Sequence, residues 1–474
     1  YDPKNEKEVL SFWKEKDILK TIEERNEKGK SFYFLQGPPY TSGRIHCGQA
    51  WNHAIKDTVL RYKRMNGYNV LARAGYDMHG LPTAHKVQKE LGLENKEDIQ
   101  QYGVDKFIKE CIKFSEDKSK DMDKDLQEMG ITLDFNDPYK PIQQDYMDSV
   151  WHLIKKADQK KRLYQGEKTM SWCPQCATAL AKHEQEYKEI KDTSIFLKFQ
   201  KKGKDNEYFI IWTTTPWTIP FNLAIMVNPE MEYVDCTIKT KDGKEEVWTV
   251  CKDLAGVFLG NVDDIEYEIG RPYFGKELEG QTYIHPWGDD NPDVQQIRKE
   301  SQNAFTILLS EEYVDSSAGS GLVHCAPGCG PEDYEVGLRN HIPPYNAIDE
   351  KGFFPNRINK YKGLKAKRDD KEFIKMMKED GFLIKTTPIE HDYAHCERCY
   401  SPVVFRTTKQ WFFKTEDLKE EMLSINKDVY WHPPMAKNAF NSWLDNLRDN
   451  SITKQRFWGT PAPIWVHEDA EGTI

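Results

Sequence analysis

The chain has 474 residues, 38% of them hydrophobic, enough for about three domains with cores of their own. Its 67 basic and 77 acidic side chains leave a net charge of −10, which excludes a polycation that binds nucleic acid through overall charge; any RNA contact must come from local basic patches. No apolar run approaches the roughly 18–20 residues that cross a membrane and no signal-peptide pattern is present, so a soluble, cytoplasmic protein without membrane contact is expected.

The sequence opens at Tyr1 without a methionine, and a trimmed or processed piece is expected. The apolar run Phe32-Tyr33-Phe34-Leu35 reads as a buried strand. It leads into Gly37-Pro38-Pro39-Tyr40-Thr41-Ser42-Gly43-Arg44-Ile45-His46-Cys47-Gly48-Gln49 and then a helical pattern from Ala50. Glycines and prolines let the backbone pass close to a ligand, and the helix start offers unpaired N–H groups to phosphate oxygens. His46 and Gln49, three apart, lie on one side of the first turn. The result is an anion cradle with two polar arms, although a strand-turn-helix with an imidazole also occurs in α/β folds that bind no nucleotide. Ile55, Val59 and Tyr62 fall at helical spacing, and Tyr68-Asn69-Val70-Leu71 supplies a second strand, completing a β-α-β unit. Gly75-Tyr76-Asp77-Met78-His79-Gly80-Leu81-Pro82 follows at the carboxyl end of a parallel sheet, where α/β folds bind ligands; Asp77 suits either a substrate ammonium or a turn.

A charged stretch without Pro or Gly from Val104 predicts a helix to Met129, with Phe107, Cys111, Phe114, Met122, Leu126 and Met129 near helical periods. A second helix is predicted over about Tyr146 to Tyr164, with Val150, Leu153, Ile154 and Ala157 inward. After Asp192 the texture changes to short alternating runs such as Ser194–Phe199 and Tyr208–Trp212, the pattern of an inserted β-rich domain; helical periods return after about Cys399. Two Cys-x-x-Cys pairs bracket the insertion, Cys173 and Cys176 before it and Cys396 and Cys399 after it. Ten cysteines are too few for a disulfide scaffold in a chain this long, and the pairs point to a reducing compartment and a structural zinc of Cys₄ type. Free or redox thiols are the alternative, and His183, His391 and His395 are near enough in sequence to substitute as ligands.

Within the insertion, Trp212-Thr213-Thr214-Thr215-Pro216-Trp217-Thr218 is either a row of functional hydroxyls or a sheet edge rich in Thr for strand propensity. Gly319 to Tyr334 is a Gly/Pro-rich loop bracketed by His324 and Asp333, a composition that presents side chains on an exposed site. Lys409-Gln410-Trp411-Phe412-Phe413 and Lys454-Gln455-Arg456-Phe457-Trp458 hold large rings that suit an aliphatic pocket or simple core packing.

The run from Gly37 to Gln49 resembles the ATP-binding HIGH signature of class I aminoacyl-tRNA synthetases, with Gln49 where the second histidine stands. Together with Gly75 to Pro82, Trp172-Cys173-Pro174 through Ala181, the Thr-rich run, His324 to Asp333 and Gln410-Trp411-Phe412, it resembles the isoleucyl-tRNA synthetases, in that family's order and through the whole chain. Gln49 and the cysteine pairs look most like the archaeal or eukaryotic-type branch. Ala84 departs from the Glu of many relatives, and no Lys-Met-Ser-Lys-Ser occurs. Valyl and leucyl relatives share the architecture, and an editing-only deacylase or a zinc-stabilised RNA-binding module are the rival readings.

The resemblance implies an α/β fold in which a Rossmann-type parallel-sheet nucleotide-binding domain is split by a β-rich editing domain, with a zinc knuckle at the junction. On that pattern 1–192 is the N-terminal segment and first catalytic half, 193–389 the editing insertion, and 390–474 the second knuckle half and an incomplete second catalytic half. It implies ATP held by His46, Gly48 and Gln49 with Mg²⁺, and isoleucine held by the Pro38 carbonyl, Asp77, Trp411, Gln455 and Trp458. It further implies hydrolysis of valyl-tRNA or valyl-adenylate at Thr213, Thr214, Thr215, His324 and Asp333. tRNA(Ile) is the implied partner, a monomer the implied state, and weak adenylation is expected where the second catalytic half is incomplete.

Overall fold

The computed structural model describes residues 2–467, and the chain separates into two compact units. One holds the described residues up to Tyr164 together with Phe413–Asp449 and those from Arg456 onward; the other holds Gln165–Phe412 with Asn450–Gln455.

The first unit is built on a three-stranded parallel sheet in the order Ser31–Phe34, Asn69–Gly75, Asp134–Tyr139. Phe32, Phe34, Val70, Ala72 and Ala74 pack on one face with Leu60, Leu126, Ile131 and Leu133. On the other face Tyr33 and its register partner Leu71 stand 69% and 52% exposed. The crossover helix Cys47–Met65 is present, but Ile55, Val59 and Tyr62 are exposed and its buried face carries His53, Asp57, Leu60 and Arg64. Spacing alone shows that two faces differ, not which one is covered; here most of the buried polar groups are paired, the Arg64 Nε excepted. Asp57 accepts from the Thr132 N–H at 2.7 Å, and Arg64 donates to the Thr132 hydroxyl at 2.8 Å. Gly75 ends the second strand against the Tyr139 ring, where a Cβ would lie 2.0 Å from a ring carbon.

The helix Val104–Glu128 turns Phe107, Cys111, Met122 and Leu126 inward, with Ser115 and Ser119 on the same stripe, while Met129 caps the end at 43% exposed. The next helix is shorter than its periodicity suggests. It spans Gln144–Gln159, closes through Lys160 and a left-handed Lys161 (φ 55°), and gives way to the strand Leu163–Cys173. None of its residues is fully buried, and Leu153 is 57% exposed.

The second unit is dominated by a ten-stranded mixed sheet. The strands Gln185–Lys201 and Leu383–Cys396 run antiparallel from Leu197 opposite Leu383 to Gln185 opposite Cys396, a ribbon that passes unbroken through positions 192 and 389. The strand Glu207–Thr213 joins the ribbon to Val323–Cys325, which pairs in turn with Ala224–Val227. Trp217, Phe221, Phe199 and Phe209 are wholly buried in its main core; each such side chain contributes about 1.5–3 kcal/mol. The strand order brings the Thr-rich segment, at the end of Glu207–Thr213, beside His324 on its neighbour.

Candidate functional site

In the first unit the Gly-Pro turn and the helix start line a cleft of about 330 Å³ formed by Gly37 to Tyr40, His46, Gly48, Gln49, Asn52 and His53. His46 is the N-cap of Cys47–Met65: its Nδ1 accepts from the N–H of Gly48 at 3.1 Å and of Gln49 at 3.3 Å. That use fixes the tautomer, so Nε2 carries the proton and is the nitrogen left to donate to an anion. Gln49 closes the capping box by accepting the His46 N–H on Oε1 at 3.2 Å, which leaves its Nε2 as a donor. Asp77 is joined to the turn through its backbone, donating to the Pro39 carbonyl at 2.8 Å and accepting from the Thr41 N–H at 2.9 Å. Burial raises the Asp77 pKa, while the Tyr40 hydroxyl and the His79 N–H favour its charged form. Trp458 is only 4% exposed; it packs with Ala84, Val87, Phe107 and Cys111, and its indole N–H donates to the Met78 carbonyl at 2.7 Å.

Trp411 and Gln455 lie in the second unit. Gln455 donates Nε2 to the Thr408 hydroxyl at 3.4 Å, and its Oε1 is buried without a hydrogen-bond partner, an acceptor in want of a donor.

The larger cavity, about 750 Å³, lies wholly in the second unit and gathers Thr213, Thr214, Thr215, Thr218, His324 and Asp333 on its walls. Thr213 is committed, its hydroxyl accepting the Thr215 N–H at 3.1 Å; among the described residues the Thr214 and Thr215 hydroxyls make no protein hydrogen bond. His324 is buried and held at both nitrogens, Nε2 by the Thr218 hydroxyl at 2.9 Å and Nδ1 by the Asn222 amide at 3.2 Å. Thr218 gives its own proton to the Thr215 carbonyl at 2.7 Å, so it accepts from Nε2–H, and Nδ1 accepts from Asn222. Burial, helped by nearby His285, lowers the His324 pKa to about 3. The imidazole is therefore neutral and fixed, suited to filling space rather than moving protons.

Asp333 sits in the first turn of the helix Pro331–Arg339 and accepts the Ala326 N–H at 3.0 Å. Burial pushes its pKa up to about 7 against the pull of that N–H. Gly328 makes the loop before it feasible: a Cβ there would meet the Tyr345 carbonyl at 2.1 Å. Thr218 stands in the hydroxyl row the sequence offers, but its pairing with His324 and the role of Asn222 are not legible there. Their signal was weak, a hydroxyl and an amide whose partner lies about a hundred residues away, as the separations of 106 and 102 positions record.

Cys173, Cys176, Cys396 and Cys399 converge, with all four sulfurs within 4.8 Å of one another and the Cys173 and Cys399 sulfurs 3.4 Å apart. Zn–S bonds of roughly 2.3 Å in a tetrahedron place sulfurs about 3.8 Å apart, so the cluster fits a four-coordinate ion with no open position. Each pair is followed by a residue in the left-handed region, Ala177 (φ 48°) and Tyr400 (φ 59°), giving two matching knuckle turns. The histidines stand aside: His391 faces Asp192 at 3.2 Å, His395 meets the Tyr393 carbonyl at 2.9 Å, and His183 is outside the cluster.

Among the described residues no helix is long and apolar enough to cross a membrane. Residues 8–474 match the family model for tRNA synthetases class I (I, L, M and V). The chain is 43% identical to the isoleucine–tRNA ligase of Pyrococcus horikoshii over 99% of its own length, and 41% identical to that of Methanocaldococcus jannaschii over 98%. It spans 44% and 45% of those two proteins. Among solved structures, a LeuRS–tRNA–LeuAMS ternary complex from Agrobacterium radiobacter aligns with 85% of this chain and 49% of its own, at 16% identity and a TM-score of 0.33. The chain thus belongs to the class I tRNA synthetases of the isoleucine, leucine, methionine and valine group.

Proposed function

We propose that this chain carries ATP- and isoleucine-binding groups of an isoleucine–tRNA ligase together with a complete site that hydrolyses valine attached in error. Isoleucine's carboxylate would attack the α-phosphorus of ATP, a displacement that needs positioning and charge neutralisation rather than a covalent nucleophile. His46 through Nε2–H, Gln49 and the close approach allowed by Gly48 would hold the nucleotide, and Mg²⁺ bound with ATP would offset phosphate charge. The Pro38 carbonyl and Asp77 would take the ammonium. Trp411 and Gln455 are assigned to isoleucine by the family resemblance, as is Trp458, whose packing against the Met78 carbonyl suits support of the Asp77 loop. The four cysteines would hold a structural Zn²⁺. The body between the cysteine pairs would act as the editing domain, on tRNA(Ile) in the cytoplasm, with the protein a monomer.

A second site has a physical reason. One methylene in an apolar pocket is worth only about 1–3 kcal/mol, the known limit on rejecting valine in favour of isoleucine, so a smaller hydrolytic sieve must follow. The observation that carries the reading is the cavity in which a fixed, neutral His324 stands beside Asp333 and two uncommitted hydroxyls. Asp333 would anchor the α-ammonium, His324 would exclude the larger side chain, and Thr214 and Thr215, backed by Thr213, would hold the terminal ribose and the attacking water. The test is hydrolysis of valyl-tRNA(Ile) against isoleucyl-tRNA(Ile) by this chain. Valyl ester should be cleaved and isoleucyl ester spared; equal treatment of both, or neither cleaved, overturns the reading.

A further inference from the structure

Three of the four carbonyls along residues 36–39 of the Gly-Pro turn are already taken. The Gln36 carbonyl accepts the Tyr139 hydroxyl at 2.7 Å, the Gly37 carbonyl accepts Lys56 Nζ at 3.2 Å, and the Pro39 carbonyl accepts the Asp77 N–H at 2.8 Å. Among the described residues the Pro38 carbonyl has no donor. Lys56 is half-buried, and burial lowers its pKa. It also donates to Gln36 Oε1 at 3.2 Å. The Gln36 amide in turn meets His53 Nε2 at 2.6 Å, and His53 Nδ1 meets the Gln49 carbonyl at 2.7 Å. A carbonyl can only accept, so Nδ1 of His53 carries the proton and Nε2 accepts from Gln36. A directed chain therefore runs from the turn through Lys56, Gln36 and His53 to the first turn of the helix capped by His46.

We propose that Lys56 is a positioning residue for the ligand ammonium. By donating its own ammonium to the Gly37 carbonyl, it leaves the Pro38 carbonyl as the one of these four without a donor among the described residues, and through Gln36 and His53 it holds that acceptor in register with the helix start. A second ammonium entering the cleft is thereby favoured at the Pro38 carbonyl and Asp77. Without Lys56 the Gly37 carbonyl opens as a competing acceptor and the ammonium site loses its definition. The proposal rests on the reading of Pro38 and Asp77 as the amino-acid site.

The test compares binding of the sulfamoyl analogue of isoleucyl-adenylate with its counterpart lacking the α-amine, by calorimetry, in the wild-type chain, Lys56→Met and Lys56→Arg. Wild type should prefer the amine-bearing ligand. Lys56→Met should lose about tenfold in affinity for that ligand and stay within about twofold for the other, because only the ammonium reads the turn. Lys56→Arg, which restores a cationic donor, should recover most of the loss. If Lys56→Met unfolds, Gln36→Leu, which removes the link between Lys56 and His53, should show the same amine-specific loss. Equal loss for both ligands means a structural role only and overturns the proposal, as does an unchanged preference in Lys56→Met. A wild type with no preference for the amine removes the amino-acid site reading itself, and the role of Lys56 with it.

Discussion

Asp333→Asn should make the protein more stable and less active at once. The native carboxyl titrates near 7, against 3.8 for an unperturbed aspartate, chiefly because burial penalises its charge. Between those values the native state binds more protons than the unfolded state, so unfolding free energy falls as pH rises through that window and is level above it. A rise of that size corresponds to at most about 4 kcal/mol of destabilisation at pH 8, and water entering the pocket reduces it. Asparagine keeps the shape and cannot ionise. In urea unfolding from pH 4.5 to 8, the stability advantage of Asp333→Asn should therefore be small at the acid end and grow to between about 1 and 4 kcal/mol at pH 8. At pH 8, where the wild-type carboxyl is charged, hydrolysis of valyl-tRNA by Asp333→Asn should fall at least tenfold, since a charge-assisted contact to the ammonium normally contributes about 1.5–3 kcal/mol. Calorimetry in buffers of different ionisation enthalpy should show wild type releasing up to about half a proton when an α-ammonium ligand binds at pH 7, because the ligand's charge lowers the Asp333 pKa. An advantage independent of pH, or a less stable variant at pH 8, would refute the burial argument.

If the proposed roles hold, His324→Ala removes the wall and leaves the anchor, so isoleucyl-tRNA should begin to be hydrolysed alongside valyl-tRNA, read as the ratio of the two rates. Cys396→Ser should lower bound zinc from about one equivalent per chain to well under half after dialysis against a mild chelator, measured by elemental analysis, and should expose the ribbon Gln185–Lys201 to proteolysis before the rest of the second unit. Gly75→Ala puts a methyl group where the Tyr139 ring lies 2.0 Å away, and should cost about 1–3 kcal/mol of stability by overpacking while loosening the Tyr139 contact to the Gln36 carbonyl.

The local signals in the sequence were those with a local cause. Gly37 to Gln49 announced its turn through backbone chemistry, and the cysteine spacing announced four sulfurs that meet across more than two hundred residues. Periodicity located the helix Cys47–Met65 but could not say that Ile55, Val59 and Tyr62 face outward, because its buried face is polar and is satisfied by Thr132, Gln36 and other distant groups. For Trp458 the sequence offers an aliphatic pocket or core packing; its ring packs with Ala84, Val87, Phe107 and Cys111 and its N–H meets the Met78 carbonyl 380 positions away, contacts that spacing does not give. The partners that fix His324 and the carbonyls taken on either side of Pro38 are facts of tertiary hydrogen bonding, and no spacing rule reaches them.

In the proposed editing pocket, the double hold on His324 separates the ring's shape from the charge state of Asp333. With one nitrogen protonated toward Thr218, the other accepting from Asn222, and a pKa near 3, this ring keeps its shape and charge through the whole range in which Asp333 changes from acid to carboxylate. Acidification should thus turn down the rate of hydrolysis without altering which side chain is admitted. On the proposed editing reading, the pocket would act as a gauge of fixed bore fitted with an adjustable valve, its accuracy independent of its throughput.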